Sequence, residues 1–383
     1  MKQIDFTPHA AGRLINTPQG YLSFIPDPLP PEMTWSDSLI SALSKADRSL
    51  ARLDEVGNAF PVPHVVVRPF IRKEAVLSSQ IEGTRSSLQE LLTYEAKQLN
   101  LFGNVEDVHE VHNYVKAIDH GLELLKKLPI SLRLIKEIHG VLMEGVRGCR
   151  MMPAEFRRSQ NWTGRAGAGI ENARYVPPPV DDMMNCLSEL EGFIHQNADI
   201  PLLVKIGLIH YQFEAIHPFM DGNGRIGRLL VTLLLIDWGL LTQPLLYLSN
   251  FIDANRQEYY DRLLNVSQKG DWEGWLLYFL DGVYSQAQDA LQRIMRLQEL
   301  RMKYHAILTG ERSYKKLQCM VDYLIGTPIL SVTQAQEDLQ MGSFTTIQRY
   351  IEKLVAVDIL REATGKARNR VFQAEEILRV LEE

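Results

Sequence analysis

The sequence predicts an all-α body followed by a small C-terminal module of mixed structure. Apolar residues recur every three or four positions along most of the chain, the period of one helix face. Strand-like alternation is almost absent until the C-terminal end. Dense glycine and proline punctuation is concentrated in one internal stretch, RAGAGIENARYVPPP at 165–179.

Taken in order, residues 17–35 hold Pro18, Pro26, Pro28, Pro30 and Pro31 and read as an extended surface arm. From Ser36 the pattern turns helical, with Leu39, Ile40, Leu43, Ala46, Leu50 and Leu53 on one face. Further helices are expected at roughly 70–82, 86–99, 106–127, 131–146, 181–196, 201–215, 225–240, 255–268 and 272–308. The stretch at 165–179 cannot be helical and predicts a hairpin-like surface loop. After Gly310, SVTQAQEDLQMGSFTTIQRYIEKLVAVDIL reads as helix, turn, helix, with Ser343 or Thr345 as N-cap. ILREATGKARNRVFQA then alternates about a GKAR turn, which completes a winged-helix pattern. The expected divisions are an arm and helical region at 1–104, a central domain at 105–268, a linking helix at 269–310 and the winged helix at 311–383.

With 383 residues, 45% of them apolar and 23% charged, the chain can bury a sizeable core. A net charge of −6 argues against non-specific nucleic-acid binding by the whole surface. Cys149, Cys186 and Cys319 are odd in number and far apart, which suits a reduced setting and no metal spacing. The start lacks a signal-peptide layout, and LLVTLLLIDWGLL falls short of the roughly 20 residues of a spanning helix. A soluble, cytoplasmic protein with no membrane partner is expected.

The chemistry concentrates in HPFMDGNGRIGR, residues 217–228, which runs straight into an apolar helix. Gly222, Gly224 and Gly227 permit positive φ and close backbone approach. Such a turn at a helix start leaves several N–H groups facing outward, an anion site whose usual occupant is phosphate. Arg225 and Arg228, three apart, share a face and can bracket a polyphosphate. Asp221 among these cations makes sense as a Mg²⁺ ligand. His217 can serve as a general base near neutral pH. These parts suit phosphoryl-type transfer. They are neither a Walker A, which needs Lys then Ser/Thr, nor a dinucleotide fingerprint, which follows a strand.

HPFMDGNGRIGR resembles the signature of the Fic (filamentation induced by cAMP) family, with every fixed position present. The upstream PAEFRRSQNWTG and the flap-like GAGIENARYVPPP are similar to that family too, so the resemblance covers roughly 105–260. It implies a Fic-type helical bundle with a β-hairpin flap that transfers AMP from ATP to a protein Ser, Thr or Tyr hydroxyl. His217 would deprotonate the target hydroxyl, and Asp221 would hold Mg²⁺ on the α- and β-phosphates. Asn223 and the backbone of Gly222, Gly224 and Arg225 would form the anion hole, within a nucleotide-binding run that also includes Ile226 and Gly227. Arg228 would meet the γ-phosphate, and Phe219 would anchor the loop. Asn255 and Tyr259 lie where relatives often place nucleobase contacts, although Tyr259 as core and Asn255 as a helix cap is an equal reading. Ile170, Glu171, Asn172, Ala173, Arg174 and Tyr175 would form the flap edge that accepts an extended target by strand addition.

A second feature lies upstream, in LSSQIEGTRSSLQELL at 77–92. Gly83 is expected to end one helix and Ser86 or Ser87 to cap the next. Glu82 then sits in a last turn, where the helix dipole disfavours an anion. Ser78, Glu82 and Gly83 resemble the Ser/Thr-x-x-x-Glu-Gly/Asn inhibitory pattern of many Fic proteins. The resemblance implies an inhibitory helix at about 70–83, with Glu82 pairing Arg228 and so denying it to ATP. Alternatively, Glu82 could position a water that removes AMP.

The 311–383 segment has ten Lys/Arg against eleven Asp/Glu, so it lacks an overall basic footprint. Its expected wing gathers Arg361, Lys366, Arg368 and Arg370. Such a module can bind DNA or serve for dimerisation and protein docking. ATP, a protein substrate, a second copy of this chain and duplex DNA are therefore the partners to weigh.

Overall fold

The computed structural model describes all residues except 97–104, 147–151, 165, 166, 168, 198 and 366–368. Cys149, Lys366 and Arg368 lie outside the described residues. Its helical periodicity is realised as expected, but the chain opens on a β-hairpin that the sequence pattern hid. β1 (Gly12–Asn16) pairs antiparallel with β2 (Leu22–Pro26), Gly12 opposite Pro26 and Asn16 opposite Leu22. Residues 17–35 are therefore not an arm throughout. β2 is buried along most of its length, so it lacks the alternation that marks a half-exposed strand.

α1 (Asp37–Ala59) begins where Ser36 accepts the Leu39 N–H on its side chain, a cap worth about 1 kcal/mol. α2 (Pro63–Ile81) begins seven positions before the expected 70, with Pro69 inside it. A proline ordinarily ends a helix pattern because it removes an i→i−4 donor, and here Pro69 leaves the Val65 carbonyl without one. α3 (Leu88–Glu95) starts on a capping box of Ser87 and Glu90.

The central body follows with α4 (Val105–Leu125), α5 (Leu132–Leu142), α6 (Val180–His195), α7 (Leu202–Ile216), α8 (Asn223–Asp237), α9 (Ser249–Ala254) and α10 (Arg256–Lys269). α7 buries residues on every face, the mark of a central helix. It packs on α8, and the turn between them carries HPFMDG. α4 contacts both α2 and α8, so the N-terminal helices and the central body share one core. The long α11 (Trp272–Ile307) lies along α1 and also meets α7 and α10, so it is part of the body and not only a linker.

Among the described residues of 165–179 there is no regular hairpin. Ile170–Asn172 form a single 3-10 turn, and one isolated antiparallel bridge, Thr163 to Tyr175, closes it. Pro177, Pro178 and Pro179 have no amide donors to extend a ladder. The β2 edge uses the neighbouring carbonyls instead: Val176 accepts the Phe24 N–H and Pro177 accepts Ser23 Oγ.

The C-terminal module comprises α12 (Tyr314–Gly326), β3 (Ile329–Ser331), α13 (Val332–Leu339), α14 (Phe344–Ala356), β4 (Arg361–Glu362), β5 (Val371–Gln373) and α15 (Glu375–Glu382). Its sheet has the order β3-β5-β4, antiparallel throughout. Ser343, not Thr345, caps α14 by accepting the Thr346 N–H. α12 and α15 were not expected from the sequence pattern.

This module is bound tightly to α2. Gly326 brings the α12 backbone against the Val65 carbonyl that Pro69 leaves open; a Cβ there would sit 2.7 Å from that oxygen. Lys73, buried in α2, donates to the Leu381 carbonyl at 2.9 Å, and Arg293 of α11 donates to the Val380 carbonyl at 2.5 Å. Two cations thus satisfy the last carbonyls of α15. Among the described residues no helix is long and apolar enough to cross a membrane.

Candidate active site

α7 stops at Ile216 because the chain turns left-handed at His217, with φ +49°. The ring Nδ1 of His217 lies 3.3 Å from the Glu214 carbonyl oxygen, which assigns the proton to Nδ1 and leaves Nε2 as the basic nitrogen. Burial pushes the imidazole down to about 4, against the opposing pull of the Glu214 carbonyl and the Glu82 and Asp221 carboxylates. The ring is therefore neutral at pH 7.

Buried contacts hold the loop in shape. Phe219 is fully buried and stacks on His139 with centroids 3.7 Å apart. Asn223 accepts the Phe219 N–H and donates to the Phe219 carbonyl, both at 2.8 Å. Its side chain thus ties the start of α8 back to Phe219. His139 bonds the Asp221 carbonyl through Nε2 at 3.1 Å and accepts the Ala154 N–H on Nδ1. Arg157, 1% exposed, donates to the carbonyls of His217 and Pro178, and Asn161 donates to those of His217 and Phe219. PAEFRRSQNWTG is thus the brace of the loop. His139 went unnoticed in the sequence because a lone histidine on an apolar helix face carries no signal.

Gly222, at φ +78°, turns the chain into α8. Gly224 comes next, where a Cβ would lie 2.3 Å from Glu82 Oε1. The first-turn N–H groups of α8 have no intrahelical acceptors and carry the positive end of the helix dipole. Ile226 is wholly buried and Gly227 packs on Glu214, so neither side of that pair offers a side chain to a ligand. Arg225 is buried, 3.5 Å from Glu110 Oε2 and 3.8 Å from Asp221 Oδ1, with its Nε and Nη1 making no hydrogen bond. A buried guanidinium with unmade bonds is suited to an anion. Asp221 is half-exposed and accepts the Gly222 N–H on Oδ1 at 2.6 Å.

Arg228 is already engaged. Its side chain, 1% exposed, donates from Nε to Ser78 Oγ at 2.8 Å and from Nη2 to the Ser78 carbonyl at 2.9 Å. The same Nη2 meets Glu82 Oε1 at 2.7 Å. Glu82 is the C-cap of α2, Gly83 follows at φ +106°, and the Glu82 side chain remains 36% exposed. Burial works to raise the Glu82 carboxyl, but Arg228, with Arg225 and His217 behind it, holds it below the usual range. Arg256 of α10 donates to the Ile81 carbonyl and ties down the end of α2.

Not every expected residue joins this site. Tyr259 is 1% exposed, bonded to His210 Nε2 at 2.8 Å and surrounded by Trp275, Tyr260 and Tyr278. It is core, which corrects the nucleobase assignment: its face of α10 points into the body. Asn255 is half-buried between α9 and α10 and donates to the Phe251 carbonyl at 2.9 Å. In the flap, Ala173 and Tyr175 are buried, the Tyr175 hydroxyl donating to the Ala215 carbonyl, while Glu171, Asn172 and Arg174 are exposed and Ile170 is half-exposed. Arg174 pairs with Asp261.

Residues 40–123 match the Fic/DOC family N-terminal region, and residues 129–235 match the Fic/DOC family. The chain is 27% identical over 251 residues to protein adenylyltransferase Fic of Drosophila grimshawi, covering 61% of this chain and 47% of that protein. It is 29% identical over 191 residues to a probable protein adenylyltransferase of Aquifex aeolicus, covering 49% of this chain and 54% of the relative. The chain thus spans about half the length of the curated relatives it matches. A Fic family protein of Desulfovibrio desulfuricans shares the fold at TM-score 0.59 and 18% identity, over 90% of this chain and 98% of that one.

Proposed function

Because the chain belongs to the Fic/DOC family, we propose that it is an autoinhibited protein adenylyltransferase. It moves AMP from ATP to a Ser, Thr or Tyr hydroxyl of a protein, itself included. His217 Nε2 takes the hydroxyl proton, the oxygen attacks the α-phosphorus, and the bond to pyrophosphate breaks. The α8 N-terminus and Arg225 hold the phosphates, and Arg228 takes the γ-phosphate once Glu82 has left it. Asp221 alone suits a cation that phosphates mostly hold, the usual mode of Mg²⁺, which supplies charge neutralisation when bound.

The observation that carries autoinhibition is the triple hold of Ser78 and Glu82 on Arg228. The test is incubation with labelled ATP, comparing wild type with Glu82→Gly. Equal labelling would remove autoinhibition, and no labelling by either would remove transfer. A second reading, removal of AMP by a water that Glu82 positions, is supported by the exposure of the Glu82 carboxylate at the mouth of the site. Mass spectrometry of a pre-modified target decides between the two directions.

We read 311–383 as a winged helix used for docking in preference to DNA binding. Of its expected wing cations, Arg361 pairs with Glu375 and Arg370 lies 3.8 Å from Glu352. Duplex-DNA binding with a steep salt dependence would reverse that preference.

A further inference from the structure

Glu214 is a buried acid that the mechanism above does not use. It lies in the last turn of α7, three residues before the left-handed His217, and the turn brings the two side chains together. Its Oε2 is 3.9 Å from His217 Nδ1, the nitrogen already drawn toward the Glu214 main-chain oxygen at 3.3 Å. Its Oε1 is buried without a hydrogen-bond partner, against Gly227, where a Cβ would approach to 2.3 Å. A buried carboxyl oxygen with no bond is costly and calls for an explanation. Arg228 of α8 and Glu82 of α2 face this carboxyl, while Glu82, Arg157 and Asp221 face the imidazole.

We propose that Glu214 is a positioning residue for AMP transfer: its main-chain oxygen fixes the Nδ1–H tautomer of His217, and its carboxylate balances the charge of the imidazolium formed in the reaction. The inference rests on the adenylyltransferase reading. The target hydroxyl proton moves to Nε2 while Nδ1 keeps its own, and the positive ring then sits against the Glu214 carboxylate until water removes the proton. Burial pushes the Glu214 carboxyl up to about 7; Arg228 lowers it and the Glu82 anion raises it. Removing Glu82 therefore favours the ionised Glu214. The negative charge that blocks Arg228 also hinders ionisation of the acid behind the base.

The experiment compares Glu82→Gly with Glu82→Gly/Glu214→Gln and Glu82→Gly/Glu214→Asp. The Gln variant is expected to lower kcat by about tenfold or more with KM for ATP within about twofold. It should also abolish an acid limb lying between the value for His217, about 4, and that for Glu214, about 7. The Asp variant should recover part of the rate. Nitrogen-15 NMR of His217 should show the Nδ1–H tautomer in both the parent and the Gln variant, with the imidazole titrating at lower pH in the latter. An unchanged pH profile with unchanged imidazole spectra overturns the proposal, as does a loss confined to KM or to thermal stability. If the Glu82→Gly parent is itself inactive, the adenylyltransferase reading fails, and the imidazole titration still decides whether the Glu214 carboxylate acts on His217.

Discussion

Glu82 Oε1 lies 2.7 Å from Arg228 Nη2, an ion pair that joins the end of α2 to the second turn of α8 across 146 residues of sequence. The helix dipole disfavours an anion at the end of α2, so Arg228 is the main attraction holding Glu82 in place. Glu82→Gly should raise AMP transfer by on the order of tenfold, the effect of roughly 1.4 kcal/mol on a barrier. Ser78→Ala, which removes one bond to Arg228 Nε, should act in the same direction and more weakly. Initial rates with labelled ATP check both, and a Ser78→Ala rate above that of Glu82→Gly would contradict the hierarchy.

His217→Ala should abolish transfer while ATP affinity, measured by calorimetry, changes by less than about threefold. The ring is held neutral by burial, with a value near 4, so its Nε2 should not titrate between pH 5.5 and 8. An imidazole signal moving within that range would contradict the assignment.

Asn223→Ala removes both bonds to Phe219 and should cost about 1–3 kcal/mol in urea denaturation. Asn223→Asp should lose nearly as much, because it sets a second oxygen against the Phe219 carbonyl. Stability equal to wild type in both would show that the loop is held elsewhere.

His139 is buried, and burial lowers it from 6.5 to about 4, with Arg225 adding to the effect and the Asp221 carbonyl opposing it. Below pH 6.5 the unfolded chain binds a proton here that the folded protein refuses, so this group makes stability fall as pH drops through that window. Buried Glu74 and Glu214, both raised to about 7, act in the opposite direction. Comparing wild type with His139→Leu isolates the histidine. The stability advantage of wild type should shrink by roughly 3 kcal/mol between pH 7 and pH 4. A constant gap would refute it.

Gly326→Leu should wedge α12 away from the Val65 carbonyl and loosen the seat of α2. Lower thermal stability together with raised AMP transfer is expected, with little added gain on a Glu82→Gly background. A destabilised protein with unchanged transfer would show that the C-terminal module does not restrain the inhibitory turn.

Features set by short spacings were legible in the sequence. The turn at 217–228 and the α2 end at Ser78 and Glu82 fall within a few residues each, where glycine, capping and helix-face arguments have force. Features decided by distant packing were not. Pro69 lies where a helix pattern ordinarily breaks, yet α2 runs through it, and the Val65 carbonyl it leaves open faces Gly326 of α12. β2 has no alternation because it is buried. Tyr259 and Tyr260 are adjacent, and only the packing of α10 shows that Tyr259 is the buried one. Glu214 has no sequence signal at all, since an acid in a helix is ordinarily solvated.

Phe219, Asn223, His139, Arg157 and Asn161 hold the loop through bonds and stacking made within the chain. On the proposed autoinhibited reading, activation is a subtraction: one carboxylate must leave Arg228. On that reading a signal acts on the lever that carries Glu82, and α2 is seated against the last helices of the chain.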